Sequence, residues 1–101
     1  MSVLVSFSIF PLDKGESVSP YVARAVKIIE KSGLPHVLTP METVIEGENL
    51  DEVLQVVKNC FEELQKDCKR IIITLKVDYR EGKTGRIKSK VESVKEKLKG
   101  L

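Results

Sequence analysis

A proline at position 40 breaks what would otherwise be one continuous extended run, and it constrains the fold of this chain more than any other residue. From Val37 to Ile45 the side chains suit a strand, but proline cannot donate a ladder hydrogen bond. The stretch therefore reads as two short strands, His36 to Leu38 and Glu42 to Gly47, joined at a bend and set between two helical patterns. Glu42, Thr43 and Glu46 fall on the second strand, which the topology below places at the centre of a sheet. Each must be solvated, paired or used, because an unpartnered polar group in a sheet core is costly.

The flanking segments supply the partners. From Ser2 to Phe10, Val3, Val5, Phe7 and Ile9 alternate with Leu4, Ser6, Ser8 and Phe10, so one face is expected to meet helices while the other carries two serines. Pro11 to Glu16 is a turn cluster. Ser19 is expected to cap a helix with Pro20 at its first position, and Val22, Ala25, Val26 and Ile29 give the apolar stripe. Gly33 supplies a left-handed stop. Asn49 and Glu52 form a capping box ahead of a second helix that carries Leu50, Val53, Leu54, Val57, Phe61 and Leu64 and runs to about Asp67. Arg70 to Tyr79 is a further strand, with Ile71, Ile73, Leu75, Val77 and Tyr79 on one face and Ile72, Thr74, Lys76 and Asp78 on the other. After a polar loop, Ile87, Val91, Val94 and Leu98 mark one narrow stripe on a Lys- and Glu-rich helix, expected to pack by that edge.

This order predicts an α+β, ferredoxin-like βαββαβ sandwich with a four-stranded antiparallel sheet and an added C-terminal helix. Right-handed crossovers place the first and third strands side by side at the centre, where they are expected to run parallel, with the second and fourth as edges. Both main helices cover one face. The other face, with Leu4, Ser6, Ser8, Phe10, Ile72, Thr74, Lys76 and Asp78, carries too much apolar surface to stand wholly in water, and self-association is the expected remedy.

Composition narrows the function. At 101 residues the chain is expected to be a single domain, residues 1–101, able to bury a core without metal or disulfide staples. The opening apolar segment is too short for a membrane span or signal peptide, so a cytoplasmic protein is expected, with no membrane partner. A net charge of +2, from 17 basic residues interleaved with 15 acidic ones, argues against a nucleic-acid groove. Cys60 and Cys68 match no zinc or redox spacing and are expected to be reduced, half-buried thiols. His36 has no triad partner and reads as a solvated or strand-edge residue. Gly82-Lys83-Thr84 lacks the leading glycine of a phosphate loop. No metal site and no catalytic residue are therefore expected. The serines of the first strand, Thr74 and the hairpin polar groups could form a pocket for a small, polar, aromatic ligand; the ordinary alternative is an interface lined with mixed side chains.

Three segments resemble a known family: Ser8-Ile9-Phe10-Pro11-Leu12, the stretch from Pro40 to Val53, and Lys90-Val91-Glu92-Ser93-Val94-Lys95. Together they are similar to the thiamine-binding (YkoF-like) proteins of archaea and bacteria, and the similarity covers essentially the whole chain. Its most specific piece is the Met-x-Thr-x-x-Glu hairpin. The resemblance implies a ferredoxin-like fold assembled as dimers and commonly homotetramers. It further implies binding of thiamine or its hydroxymethylpyrimidine part, no enzyme activity and no cofactor. Met41, Thr43 and Glu46 match the signature, and Ser8, Phe10 and Pro11 stand beside them. The ligand contacts expected on this basis are Ser6, Ser8, Phe10, Met41, Thr43 and Glu46. An aminopyrimidine needs acceptors and a flat apolar wall, and a thiazolium cation favours a carboxylate or an aromatic face. The chain departs from the family where Glu42 replaces a usual glycine and Phe61 a frequent histidine. One geometric constraint precedes any structure: Glu42, Val44 and Glu46 share a face and Met41, Thr43 and Ile45 the other, so Thr43 and Glu46 cannot both point straight into one pocket.

Overall fold

The computed structural model describes residues 2–101. Its elements are β1 (Ser2–Pro11), α1 (Ser19–Ser32), β2 (His36–Leu38), β3 (Thr43–Gly47), α2 (Leu50–Gln65), β4 (Ile71–Arg80) and α3 (Arg86–Leu98). The strands form one sheet in the order β2-β3-β1-β4. This is the ferredoxin-like sandwich with an added helix. The central pair β1 and β3 runs antiparallel, not parallel as the crossover argument suggested. The hairpin explains the difference: β3 returns directly from β2 and so reverses it, and it is β1 and β2, separated by β3, that share a direction.

Alternation along β1 sets the core. Val3, Val5, Phe7 and Ile9 are buried against Ala25 and Ile29 of α1 and Val53, Val57, Cys60 and Leu64 of α2, with Ile45 of β3 between them. Both thiols are free, and both are buried more deeply than the expected half. Burial pushes the Cys60 thiol up to about 12, so it stays protonated and unreactive. Phe61, the departure from the family's histidine, packs against this core.

Helix starts and stops follow local chemistry. In α2 the Asn49 side chain accepts from the Glu52 amide at 2.8 Å. The Glu52 carboxylate reaches back to the Glu48 amide, one residue earlier than in a standard capping box. In α1 the cap is Val18 and not Ser19: the Val18 carbonyl accepts from the Tyr21 and Val22 amides, so Ser19 is already helical and Pro20 follows it. Gly33 ends that helix in the left-handed region at φ 75°.

Two expectations about the surface change. The sheet face opposite α1 and α2 is partly covered, because the first turn of α3 lies over it and Leu4 is buried. The bare apolar row lies on the helix side of β4 instead. Ile71 joins the core, whereas Ile73, Leu75, Val77 and Tyr79 stand 39–57% exposed. An edge strand has helices over it only as far as they extend sideways, and α1 and α2 sit over β1 and β3. Along α3, only the start packs; Val91, Val94 and Leu98 are more than half exposed, so the helix does not lie on the sheet by its whole edge.

At Gly47, the last residue of β3, an added Cβ would sit 2.7 Å from Val53 Cγ1 and 2.8 Å from Glu52 Oε1. Gly47→Ala is therefore expected to push the first turn of α2 off the sheet. Urea unfolding should read a loss of about 1–3 kcal/mol.

Candidate functional site

The two edges of β1 differ in length. On one side β4 pairs with it along its whole course, from Ser2 to Pro11. On the other, β3 pairs only from Val3 to Phe7, because β3 begins at Thr43. Beyond Phe7 the edge of β1 has no strand beside it. The reason lies in the hairpin: Thr39 accepts hydrogen bonds at its hydroxyl from the Met41 and Glu42 amides, and both its hydroxyl and its amide donate to the Glu42 carbonyl. Pro40 sits inside this closed loop, which turns the chain away before it can extend the ladder.

A cavity of about 400 Å³ occupies the vacated position. Its walls come from both sheet faces: Phe7, Ala25, Val26, Ile29 and Thr43 from the helix side, and Ser8, Phe10, Glu42 and Thr74 from the other. Such a mixture is possible only where no strand separates the faces. Met41 is 83% exposed at the rim of the hairpin, where an unbranched side chain can adapt to a bound molecule. Glu42 is half-buried, and its Oε2 accepts from the Ser6 hydroxyl across the sheet.

Of the six expected ligand contacts, the fold brings Ser8, Phe10, Met41 and Thr43 together around this cavity. Ser6 lies one step along β1, in a smaller cavity of about 310 Å³ beneath α3. Glu46 lies at the opposite end of β3, on the face that pairs it with Leu4. The separation of Thr43 from Glu46 demanded by strand alternation thus holds in the structure.

Glu46 is engaged elsewhere. It is buried, and its carboxylate accepts from the Arg86 amide at 3.0 Å and the Ile87 amide at 3.3 Å, capping α3 from forty residues away. Burial alone would raise its pKa, but the Arg86 and Ile87 amides, the Ser2 hydroxyl and the Arg86 charge together hold it below the ordinary value. Buried Arg86 completes the anchor. Its guanidinium donates to the Ser2 hydroxyl at 2.7 Å and pairs with Asp78 at 3.0 Å, while Lys90 meets the second Asp78 oxygen at 2.6 Å. Hydrogen bonds from Lys90 and Arg86 lower Asp78 to about 2. Neither Arg86 nor Asp78 stood out in the sequence, and only the charge of Arg86 at a helix start could have drawn attention to it.

A roomier cavity, about 630 Å³, lies at this end, beside Glu46, Glu52 and His36. Three of its polar groups serve the fold: Glu46 caps α3, Glu52 caps α2, and the His36 ring nitrogen meets the Leu34 carbonyl at 2.9 Å. No group of three or more potential metal ligands occurs among the described residues.

The folded pKa values of Glu46 and Asp78 lie below their ordinary values of 4.5 and 3.8. Their stabilisation of α3 is therefore complete above those values and lost as pH falls, for Asp78 through about 2. In amide NMR spectra recorded from pH 5 to pH 2, α3 signals should lose native dispersion before those of Val5, Ile29 and Val57. Glu46→Gln should loosen α3 already at neutral pH, by about 1 kcal/mol.

Residues 5–95 match the family described as "Thiamine-binding protein". A UPF0045 protein of Mycobacterium bovis is 41% identical over 98 residues, covering 97% of this chain and 96% of its own length. Among solved structures, an uncharacterised protein of Methanocaldococcus jannaschii superposes with a TM-score of 0.85 at 37% identity, over 94% of this chain and 97% of its own. A protein of Thermotoga maritima, proposed to act in thiamine biosynthesis or salvage, gives 0.81 at 28% identity, over 93% and 99%.

Proposed function

The chain belongs to the thiamine-binding protein family, and from that premise we propose that it is a non-enzymatic binding protein for thiamine or a related pyrimidine. The cavity at the β2–β3 hairpin is its site, and its cellular role is that of a carrier, buffer or sensor in the cytoplasm. Among the described residues no helix is long and apolar enough to cross a membrane. One observation carries the reading: the strand missing beside β1 leaves a pocket with aliphatic walls, the Phe10 ring and a few placed polar groups, which is the pattern of small-molecule sites. The hydroxyls of Ser8, Thr43 and Thr74 and the Glu42 carboxylate can accept from an aminopyrimidine, and Phe10 offers a face to a flat or cationic ring.

The working unit in this reading is a homo-oligomer, a dimer or tetramer. The exposed row Ile73, Leu75, Val77 and Tyr79 on edge strand β4 supports assembly, since exposed edge strands invite pairing with another chain. The same row favours a second reading, a structural or regulatory oligomer with no ligand.

Calorimetric titration separates the two. The protein should bind thiamine or hydroxymethylpyrimidine. Phe10→Ala and Thr43→Val should each weaken binding by about tenfold without changing the assembly. Absence of both heat and thermal shift at millimolar ligand would leave the structural reading.

A further inference from the structure

We propose that Glu42, positioned by Ser6, sets the charge specificity of the hairpin cavity, so that it selects aromatic ligands carrying a positive charge over neutral counterparts of the same shape. The proposal rests on the cavity being the ligand site and adds what that site prefers. Its first basis is the lining. Among the residues around the cavity, Glu42 is the only one with an ionisable side chain; the others are aliphatic, aromatic, hydroxyl-bearing, proline or methionine. A single acidic residue in an otherwise uncharged lining gives the site a net negative field that solvent only partly screens.

The second basis is preorganisation. The Glu42 backbone is fixed at both its amide and its carbonyl by Thr39, so the residue is held in place within the hairpin loop. Its side chain is fixed at Oε2 by the Ser6 hydroxyl. That bond uses one carboxylate oxygen and leaves the acceptor capacity of Oε1 for a ligand. A carboxylate held before the ligand arrives loses little freedom on binding.

The third basis is the lack of a competing cation. Lys76 stands opposite Ser6 in the β1–β4 register, but it lines the neighbouring cavity, and no ion pair joins it to Glu42 among the described residues. The other half-buried or buried acidic groups near the sheet are committed: Glu46 to the start of α3, and Asp78 to Arg86 and Lys90. Glu42 is thus an acidic group of the sheet with no cation within ion-pair distance among the described residues. A thiazolium, pyridinium or comparable flat cation has the matching chemistry.

The test uses two pairs of probes that differ mainly in charge: thiamine against its neutral carbon isostere 3-deazathiamine, and N-methylquinolinium against quinoline, titrated into wild-type protein, Glu42→Gln, Ser6→Ala and Ser6→Thr. Wild type should prefer the cation of each pair by about tenfold or more, the size of one charge–charge attraction in a partly desolvated site. Glu42→Gln should bring that preference close to one while keeping the melting temperature. Ser6→Ala should lower the preference by a smaller factor, and Ser6→Thr, which retains the hydroxyl, should restore it. A preference that survives in Glu42→Gln, or tighter cation binding by that variant, would overturn the proposal and leave the thiamine reading standing. Conversely, preference for N-methylquinolinium without any binding of thiamine or 3-deazathiamine would support the role of Glu42 and remove the thiamine reading. Binding of none of the four probes by wild type would overturn both.

Discussion

The structure depends on a mismatch in strand length. β1 is ten residues long and fully paired with β4, while β3 covers only its first half. A strand edge without a partner exposes backbone groups and breaks the barrier between the two sheet faces. Here the gap is stabilised by a hairpin whose loop hydrogen bonds close on Thr39. Aliphatic side chains of α1 wall it on one side and Phe10 on the other. The cavity is thus a consequence of where Pro40 stops the ladder.

The opposite end of the sheet is organised by charge. Glu46 and Asp78 receive the first turn of α3 through its amides, Arg86 and Lys90. Arg86 is the buried member of the ion pair, and removing Asp78 would leave its charge uncompensated there, which costs more than the pair contributes. The anchor ends after one turn, and the remainder of α3 carries its stripe of Val91, Val94 and Leu98 into the open. Together with the bare row on β4, this gives the chain two apolar surfaces that its own fold leaves uncovered, consistent with the assembly proposed above.

Local patterns were readable from the sequence where local forces decide. The alternation of β1, the strand β4, the Asn49 cap and the Gly33 stop all appear in the structure because periodicity and backbone chemistry act within a few residues. The separation of Thr43 from Glu46 followed from strand geometry alone. What escaped were relations across the chain. Glu46 matches a ligand signature, yet it caps a helix forty residues away. Arg86 stands at the start of a Lys- and Glu-rich helix with nothing local to set it apart, and it is buried. The apolar face of β4 was recognised, but its exposure depends on its edge position and on the lateral reach of α1 and α2, which the pattern of a single strand does not encode. The pairing of Ser6 with Glu42 depends on the β1–β3 register, and that became definite only once the hairpin had a fixed length.

The central claim is that the gap beside β1 is where ligand binds. It is tested most directly by following backbone amide resonances during a titration with thiamine. The account predicts shifts at Ser8, Ile9, Phe10, Met41, Glu42, Thr43 and Thr74, with Glu46, Gly47, Glu48 and Lys88 unmoved. Shifts confined to the latter group, or none at saturating thiamine, would contradict it.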